Sequence, residues 1–562
     1  MRFPLLFLLL IISLNLHSQS SFIPLNNDYY HLIDRYEVLN GRMSPSLFSS
    51  IKPYERRQVA QFLDSLAIDS ARLSKADRFN LEYLANDNWE WTGTSANESK
   101  KPILKYFYRK KSDLFHVHNK DFDLHVNPVL YTQIGKESET GETRFINSRG
   151  LELRGMIDNK IGFYTFFADN QASFPAYVGN FIRDFDALPG EGFLKSFKTN
   201  GVDFITARGY FTFNITKHIH LQFGHDKNFI GNGYRSLILS DFSSSYTFLK
   251  INTKIWKLNY QNLFTEMNAG TNAANNFFPK KYLAFHHLSY NVSKNLNIGI
   301  FESVVFGRRD TTRHGQFDFN YLNPIIFFRS IEQQLGSSDN ALLGIDFKWN
   351  FLKHFSLYGQ VVLDEFYLKE IKAGKGWWAN KQAFQMGMKY FNVGGIKNLD
   401  MQGEVNVIRP YIYAHSSKYT SYSHYNQPLA HPVGANLYEL IGITRYQPLK
   451  RLNLTGKMIL MKYGADSNTV GLNPGSNNGG NVLKSYNFVA KTNTYGNEIA
   501  QGVETNTLYL SFTASYQLRH NLFIDLMQVV RRSDSMIDSK DLNTTFTSLA
   551  LRWNIAQRLH EF

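Results

Sequence analysis

The sequence predicts an all-β transmembrane fold: an outer-membrane β-barrel of about 18 antiparallel strands with a small N-terminal periplasmic α-helical module. This prediction depends on an apolar leader, on apolar residues at every second position along most of the chain, and on alternating short and long connections. Composition agrees, since aromatic residues make up 15% of the 562 residues and charged residues only 19%. Barrels need an aromatic excess for the two girdles at the membrane interfaces.

Residues 1–18 are predicted to form a cleaved secretory signal peptide. Arg2 precedes the apolar run from Leu5 to Ile12, and a polar stretch ends at Ser18. The run is too short to cross a bilayer as a helix, which needs about 20 residues.

Loss of Arg2 lowers the formal charge from +14 to +13. This charge favours anionic partners, and acidic polysaccharide or lipopolysaccharide phosphate suits an exported barrel better than nucleic acid, for which no motif is present.

The chain contains no cysteine. This excludes disulfides, thiol nucleophiles, thiolate metal sites and a lipidated N-terminal cysteine. An exported protein without disulfides depends on its own hydrogen-bond network, and a closed sheet supplies one.

Residues 19–100 are predicted to form the periplasmic helical module and its linker. Ser74 and Asp77 have the spacing of a capping box that opens a helix, and Gly41 ends an earlier one. The stretch from Thr92 to Lys101 is polar and is predicted to be the linker. The apolar residues recur at intervals of three and four, as in Tyr29, Leu32, Ile33, Tyr36 and Leu39.

Residues 101–562 are predicted to form the barrel with long external loops. Apolar residues alternate with polar ones, and short turns such as 158–160 join strands whose other ends are linked by long segments such as 171–200. An even strand number returns both ends of the sheet to the periplasm. The last alternating run passes Trp553 towards Phe562. A final strand with a terminal aromatic residue resembles the signal that barrel-assembly machinery recognises.

The external loops hold the candidate ligand-binding residues. Tryptophan rings stack on sugar rings, and arginine forks pair with uronate carboxylates. The alternatives are equally physical: the tryptophans could belong to the outer aromatic girdle, and the arginines could pair with neighbouring acids or with lipopolysaccharide. The candidates are Arg235, Arg308, Arg309, Arg329, Trp377, Trp378 and Arg409.

No catalytic or metal-binding constellation is recognisable. Gly231 and Gly233 lack the strand, helix and third glycine of a nucleotide-binding loop, and are expected to let an outside loop fold back into the lumen. No nucleophile elbow or paired carboxylates occur at convincing positions, so the prediction is a protein without enzymatic activity or cofactor. Histidines without metal-ligand spacing are expected to lie in solvated loops, namely His415, His424 and His431.

Four stretches carry a family likeness: 223–241, FGHDKNFIGNGYRSLILSD; 322–346, LNPIIFFRSIEQQLGSSDNALLGID; 425–448, YNQPLAHPVGANLYELIGITRYQP; and 514–526, ASYQLRHNLFIDL. Together they resemble the Wzi capsule-assembly family, within it the Bacteroidetes branch of the gliding-motility protein RemB. The resemblance implies an 18-stranded outer-membrane barrel with a periplasmic helical bundle. It also implies a lectin-like surface protein that attaches capsular or exopolysaccharide to the cell. The loops differ in length and composition, so no binding residue is carried across.

The expected function is therefore binding or assembly of surface polysaccharide in the outer membrane. A contribution to gliding motility is a further expectation from the resemblance. Two alternatives stay open: a solute-conducting, porin-like channel and an outer-membrane hydrolase. Expected partners are outer-membrane lipid and lipopolysaccharide, surface polysaccharide and, during insertion, barrel-assembly machinery, but no nucleic acid. A monomer is expected.

Overall fold

The computed structural model describes most of the chain. The described residues are 20–25, 28–68, 73–270, 278–307, 317–324, 327–328, 330, 336, 339–466, 476–488 and 494–562. The predicted signal peptide lies outside them.

In the described chain, eighteen antiparallel strands form a closed barrel in which each strand pairs with its neighbours in chain order. The barrel closes where β18 pairs with β1, from Trp553 opposite Leu130 to Phe546 opposite Glu137. The predicted fold class is confirmed. The strands are β1 Phe122–Glu137, β2 Thr143–Ile157, β3 Ile161–Ser173, β4 Gly201–Asn214, β5 Ile219–Asp226, β6 Tyr246–Ile255, β7 Leu258–Asn268, β8 Lys280–Asn291, β9 Leu296–Phe306, β10 Asn340–Phe351, β11 Phe355–Leu363, β12 Gln382–Phe391, β13 Leu399–Ile408, β14 Leu437–Leu449, β15 Leu452–Ala465, β16 Val503–Arg519, β17 Leu522–Ser535 and β18 Leu542–Trp553.

The wall strands alternate between an apolar outer face and a polar inner face. On β13, Met401 and Val405 point outward and are each 43% exposed, whereas Glu404 and Asn406 point inward and are buried. Successive side chains of a strand point to opposite faces, so this pattern requires one apolar and one polar environment. It is the pattern of a barrel that faces lipid on its outside.

The connections differ between the two ends of the barrel. Short turns join strands at one end, for example 158–160, 352–354 and 520–521. We call this the turn end; the sheet begins and finishes there. We call the opposite end the loop end; it carries the long connections, of which 466–502 is the longest. Two short connections, residues 138–142 and 536–541, lie at the loop end as well. The predicted asymmetry therefore holds, with these two exceptions.

The N-terminal module has the predicted helices. Ser74 Oγ accepts a hydrogen bond from the Asp77 amide at 2.9 Å, and Asp77 Oδ2 accepts one from the Ser74 amide at 3.0 Å, so the capping box is present. The helices around its apolar core are α1 Tyr29–Asn40, α2 Arg56–Asp64, α3 Lys75–Asp87 and α4 Trp89–Thr92. Outside the module lie α5 Ala176–Phe185 and α6 Leu368–Ala373. None of the described helices is long and apolar enough to cross a membrane.

The module is seated in the mouth of the barrel at the turn end. Buried ion pairs join it to inward-facing wall residues: Arg35 to Asp400 on β13, and Asp34 to Lys348 on β10 at 3.0 Å. The amide of Met43 also donates to a turn carbonyl at 2.6 Å. The sequence predicts these helices, whereas their insertion into the barrel is visible only in the structure.

Two further segments fill the lumen. The inward loop, residues 227–245, descends from the loop end, and its strand Phe229–Ile230 pairs with the module's strand Ile51–Lys52. The tail, residues 554–562, turns back inside the barrel after β18. The remaining short strands are Phe115–His118, Lys195–Phe197, Ser423–His424 and Gln427–Pro428.

The expectation that the last strand runs up to Phe562 is wrong. The strand ends at Trp553, and the following residue, Asn554, adopts a left-handed conformation with φ +52° that turns the chain inward. Phe562 packs against Phe181 and Phe242, with ring centroids 4.9 Å and 6.1 Å away. The aromatic residue at the end of the wall is therefore Trp553.

Candidate functional site

The inward loop passes between wall side chains because two of its residues are glycines. A Cβ on Gly231 would lie 2.3 Å from Gln360 Nε2, and one on Gly233 would lie 2.6 Å from Gln385 Oε1. Gly231 also has a φ of +139°, which disfavours other residues. The prediction that these glycines let an outside loop fold into the lumen is confirmed.

Arg235, a candidate ligand residue, lies on this loop inside the barrel. Its Nη2 is 3.0 Å from Glu439 Oε1 on β14 and 2.5 Å from the carbonyl oxygen of Glu561 in the tail. Glu404 on β13 accepts hydrogen bonds from the amides of Tyr234 and Arg235, at 2.6 Å and 3.0 Å. Arg235 thus joins loop, wall and tail, and its guanidinium is already paired with a carboxylate.

Three other candidates come together at the loop end. Trp378 packs against Tyr486 with ring centroids 4.9 Å apart, and Arg409 Nε donates to the carbonyl of Asn380 at 2.7 Å. Trp377 neighbours Trp378, with ring centroids 6.4 Å apart. These residues come from three connections, 364–381, 409–436 and 466–502, so their proximity is a product of the fold. Arg308, Arg309 and Arg329 lie outside the described residues.

An exposed apolar and basic surface adjoins these tryptophans. Phe366, Tyr367 and Leu368 are 47%, 55% and 57% exposed, and Tyr495 is 51% exposed. Between them α6 and its flanks carry the exposed lysines Lys369, Lys372 and Lys375. We call residues 366–378 together with Tyr495 the loop-end patch. The apolar triplet is not among the residues predicted from the sequence, although three large apolar residues in a lysine-rich connection are a signal for an exposed patch.

The loop-end patch is held by hydrogen bonds between connections. The amide of Trp378 donates to the carbonyl of Thr494 at 3.1 Å, and the amide of Asn497 donates to the carbonyl of Gly376 at 2.9 Å. Lys381 Nζ lies 4.1 Å from the centre of the Tyr486 ring, where the ring face attracts a cation. The aromatic faces are thus positioned by backbone contacts from both sides.

The loop histidines are buried, so the expectation that they are solvated is wrong. His431 is 0%, His424 4% and His415 5% exposed. His431 Nε2 lies 2.8 Å from Glu439 Oε2, and His424 Nδ1 accepts from the Asn268 amide at 3.0 Å. Within the described ranges no group of three or more His, Asp or Glu side chains has an arrangement suited to a metal ion.

Comparison with known proteins supports the architecture. No protein-family model matches the sequence, and no curated protein matches it either. Among solved structures, the chain matches an outer-membrane protein of Escherichia coli, described as a carbohydrate-binding β-barrel involved in group 1 capsule assembly, with a TM-score of 0.57. The fold is that of Wzi. The match covers 96% of this chain and 100% of Wzi at 13% identity.

A second match is more distant. The outer-membrane protein OprD of Pseudomonas aeruginosa has a TM-score of 0.41 at 11% identity, covering 76% of this chain and 93% of OprD. At this level of similarity only the Wzi match bears on the fold. The predicted likeness to Wzi is confirmed for the barrel architecture, and the RemB branch stays a prediction.

Proposed function

We propose that this protein resides in the outer membrane and binds a surface polysaccharide through its loop-end patch, as a monomer. The observation that carries the proposal is an exposed aromatic and lysine-rich surface at the loop end of a barrel with the fold of Wzi. The apolar outer face of the wall supports placement in a lipid bilayer. The loop end then faces outward, because the helical module occupies the opposite end.

The chemistry of the patch suits an acidic polysaccharide. Aromatic rings such as those of Tyr367 and Trp377 offer large, rigid apolar faces for the C–H faces of sugar rings. Lys369, Lys372 and Lys375 add three positive charges, opposed within α6 by Glu370. Exposed lysines attract uronate or phosphate groups over a Debye length of about 10 Å and raise the association rate. Retention of capsular or exopolysaccharide is the primary role in this proposal, and a contribution to gliding motility is secondary.

Substitution of the patch aromatics tests the proposal. We expect the double variant Tyr367→Ala with Trp377→Ala to bind the host's extracted surface polysaccharide about tenfold or more weakly, because truncation of an aromatic anchor costs about 1–2 kcal/mol. Trp256→Ala is the matched control, since Trp256 is 72% exposed but lies at the turn end. Unchanged affinity in the double variant, or equal losses in both proteins, would contradict the proposal.

A solute-conducting channel is the second candidate, favoured by the polar inner face of the wall. The meeting of Ile51–Lys52 with Phe229–Ile230 inside the lumen argues against it. Single-channel recording of the purified protein in planar bilayers separates the two functions. Steady ionic conductance would support the channel, whereas a nearly silent barrel would support polysaccharide binding.

A further inference from the structure

A chamber of about 530 Å³ lies inside the barrel, bounded by the N-terminal module, the inward loop, the tail and the wall. Its volume falls in the range of about 300–1,000 Å³ that is usual for small-molecule sites. The chamber is separate from the loop-end patch, because none of its lining residues belongs to that patch.

Twelve lysine and arginine side chains line the chamber. Nine of them have a carboxylate oxygen within 4.0 Å: Arg35, Arg56, Arg154, Arg208, Arg235, Lys389, Lys457, Arg552 and Arg558. Among the described residues the other three, Lys52, Lys227 and Arg445, have none. The chamber therefore contains cations that the protein itself does not neutralise at short range.

These three side chains bond only to neutral oxygens in the described chain. Lys52 Nζ donates to the carbonyl of Gly231 at 2.9 Å, and Lys227 Nζ donates to the carbonyls of Gly190 and Asp241 at 2.6 Å and 3.0 Å. A charge removed from water is costly unless an opposite charge compensates it. Burial accordingly lowers the pKa of Lys52 to about 7 and that of Lys227 to about 8.

Arg445 on β14 has the most unused bonding capacity of the three. A guanidinium has five N–H donors, and the described protein supplies one acceptor, Gln402 Oε1, 3.3 Å from Nη1. Asp400 is the direct cross-strand partner of Arg445. The Asp400 carboxylate nevertheless binds the module instead, through Arg35 and through His31 at 3.0 Å. The seating of the module thus leaves Arg445 facing the chamber without an anionic partner.

Most of the chamber's negative charge is already compensated. Seven of its nine carboxylates have a basic group within 4.0 Å, namely Asp28, Asp34, Asp87, Asp113, Glu191, Asp400 and Glu561. A further anion in the chamber would therefore face carboxylates whose charge is mostly compensated already.

We propose that the chamber binds a small solute bearing a carboxylate or a phosphate group, and that Arg445 holds that group. Two N–H donors of one guanidinium can bind two oxygens of such a group side by side. Lys227 from the inward loop adds positive charge to the same chamber, and Lys52 from the module does so when it is protonated. Aromatic residues also line the chamber, namely Tyr30, Tyr234 and Phe523. A uronic acid and a sugar phosphate both have this chemistry.

The test uses the full-length protein in detergent, titrated by calorimetry with D-glucuronate, glucose 6-phosphate and D-glucose. We expect saturable binding of at least one anion with one site per chain, and no binding of glucose up to about 20 mM. If only glucuronate binds, the group recognised is a carboxylate; if only glucose 6-phosphate binds, it is a phosphate. Equal binding of glucose, or no saturable binding of either anion, would overturn the inference.

Two variants assign the site within the chamber. Arg445→Gln should weaken anion binding by about tenfold or more, the loss expected for one charge-assisted contact. Arg149→Gln is the control, because Arg149 is an exposed arginine whose closest carboxylate, that of Asp169, is 3.7 Å away. Lys227→Met provides a second chamber variant if Arg445→Gln does not fold. Unchanged affinity in the chamber variant would refute the assignment, while polysaccharide binding at the loop-end patch should be unaffected by it.

Discussion

Removal of Lys348 should release the N-terminal module from the barrel. Lys348 Nζ lies 3.0 Å from Asp34 Oδ1, 2.7 Å from Glu37 Oε2 and 3.0 Å from Ser49 Oγ, and its side chain is only 1% exposed. Lys348→Met would leave Glu37 buried without a cation, whereas Asp34 would keep Lys389. Loss of one partner from a buried ion pair costs about 3–5 kcal/mol, and the remaining Lys389 places the expected cost near the lower value.

A cost of about 3 kcal/mol corresponds to a population of undocked module roughly a hundredfold larger. The assay is limited proteolysis under native conditions, in which the cleavage rate of the segment joining α1 to α2 reports the undocked population. Lys160→Met, at an exposed turn residue, is the control. The double variant Glu37→Gln with Lys348→Met should recover part of the loss, because it no longer strands a buried charge. Equal cleavage of wild type and Lys348→Met would refute the reasoning.

Three further predictions concern the parts that fill the lumen. Gly233→Val should displace the inward loop, because its Cβ would lie 2.7 Å from the backbone carbonyl oxygen of Arg235. A rise in bilayer conductance or a fall of about 1–3 kcal/mol in stability would show the displacement. Burial raises the pKa of Glu55 to about 7. The protonated side chain therefore contributes stability at pH 4.5 and below, and this contribution of at most about 3 kcal/mol is lost as the pH rises through 7. Thermal denaturation at pH 5 and pH 8 should show this difference in wild type and not in Glu55→Gln. Phe562→Ala should leave membrane insertion intact, whereas Trp553→Ala should impair it, because the last strand of the wall ends at Trp553. Membrane fractionation measures the inserted protein, and the reverse result would contradict this prediction.

The barrel could be predicted from sequence because its signal is local. A strand with one face towards lipid and one towards the lumen shows a period of two within a few residues, as on β13, and hairpin turns lie between neighbouring strands. The helices of the module were visible for the same reason, since Ser74 and Asp77 are three residues apart. Patterns of this kind need no knowledge of distant contacts.

The seating of the module could not be predicted, because its contacts join residues far apart in sequence. Arg35 and Asp400 are separated by 365 positions, and nothing near either residue indicates the other. The path of the tail could not be predicted for a related reason. The alternation continues to Ile555, but the strand ends two residues earlier, at Trp553, because Asn554 adopts a left-handed conformation.

The candidate site was predictable in part. The side-chain chemistry of Trp377 and Trp378 indicates ligand binding, and the structure brings both residues together with Arg409. The side-chain chemistry of Arg235 indicates the same role, yet its pairing with Glu439 inside the barrel depends on a loop that folds inward. The path of the loop decides whether a loop arginine faces solvent or the lumen. The residue type alone does not indicate that path.

The stretch 223–241, which carries part of the likeness to Wzi, has mainly structural contacts. The amide of Leu237 donates to Gln360 Oε1 at 2.7 Å, and Asn228 Oδ1 accepts from Lys250 Nζ at 3.1 Å. Such contacts fix how the loop fills the barrel, so similarity in this stretch indicates a shared architecture. The loop-end segment 366–378 lies outside all four stretches of likeness. If the loop-end patch binds a polysaccharide as proposed, the residues that select it can therefore change while the barrel stays the same.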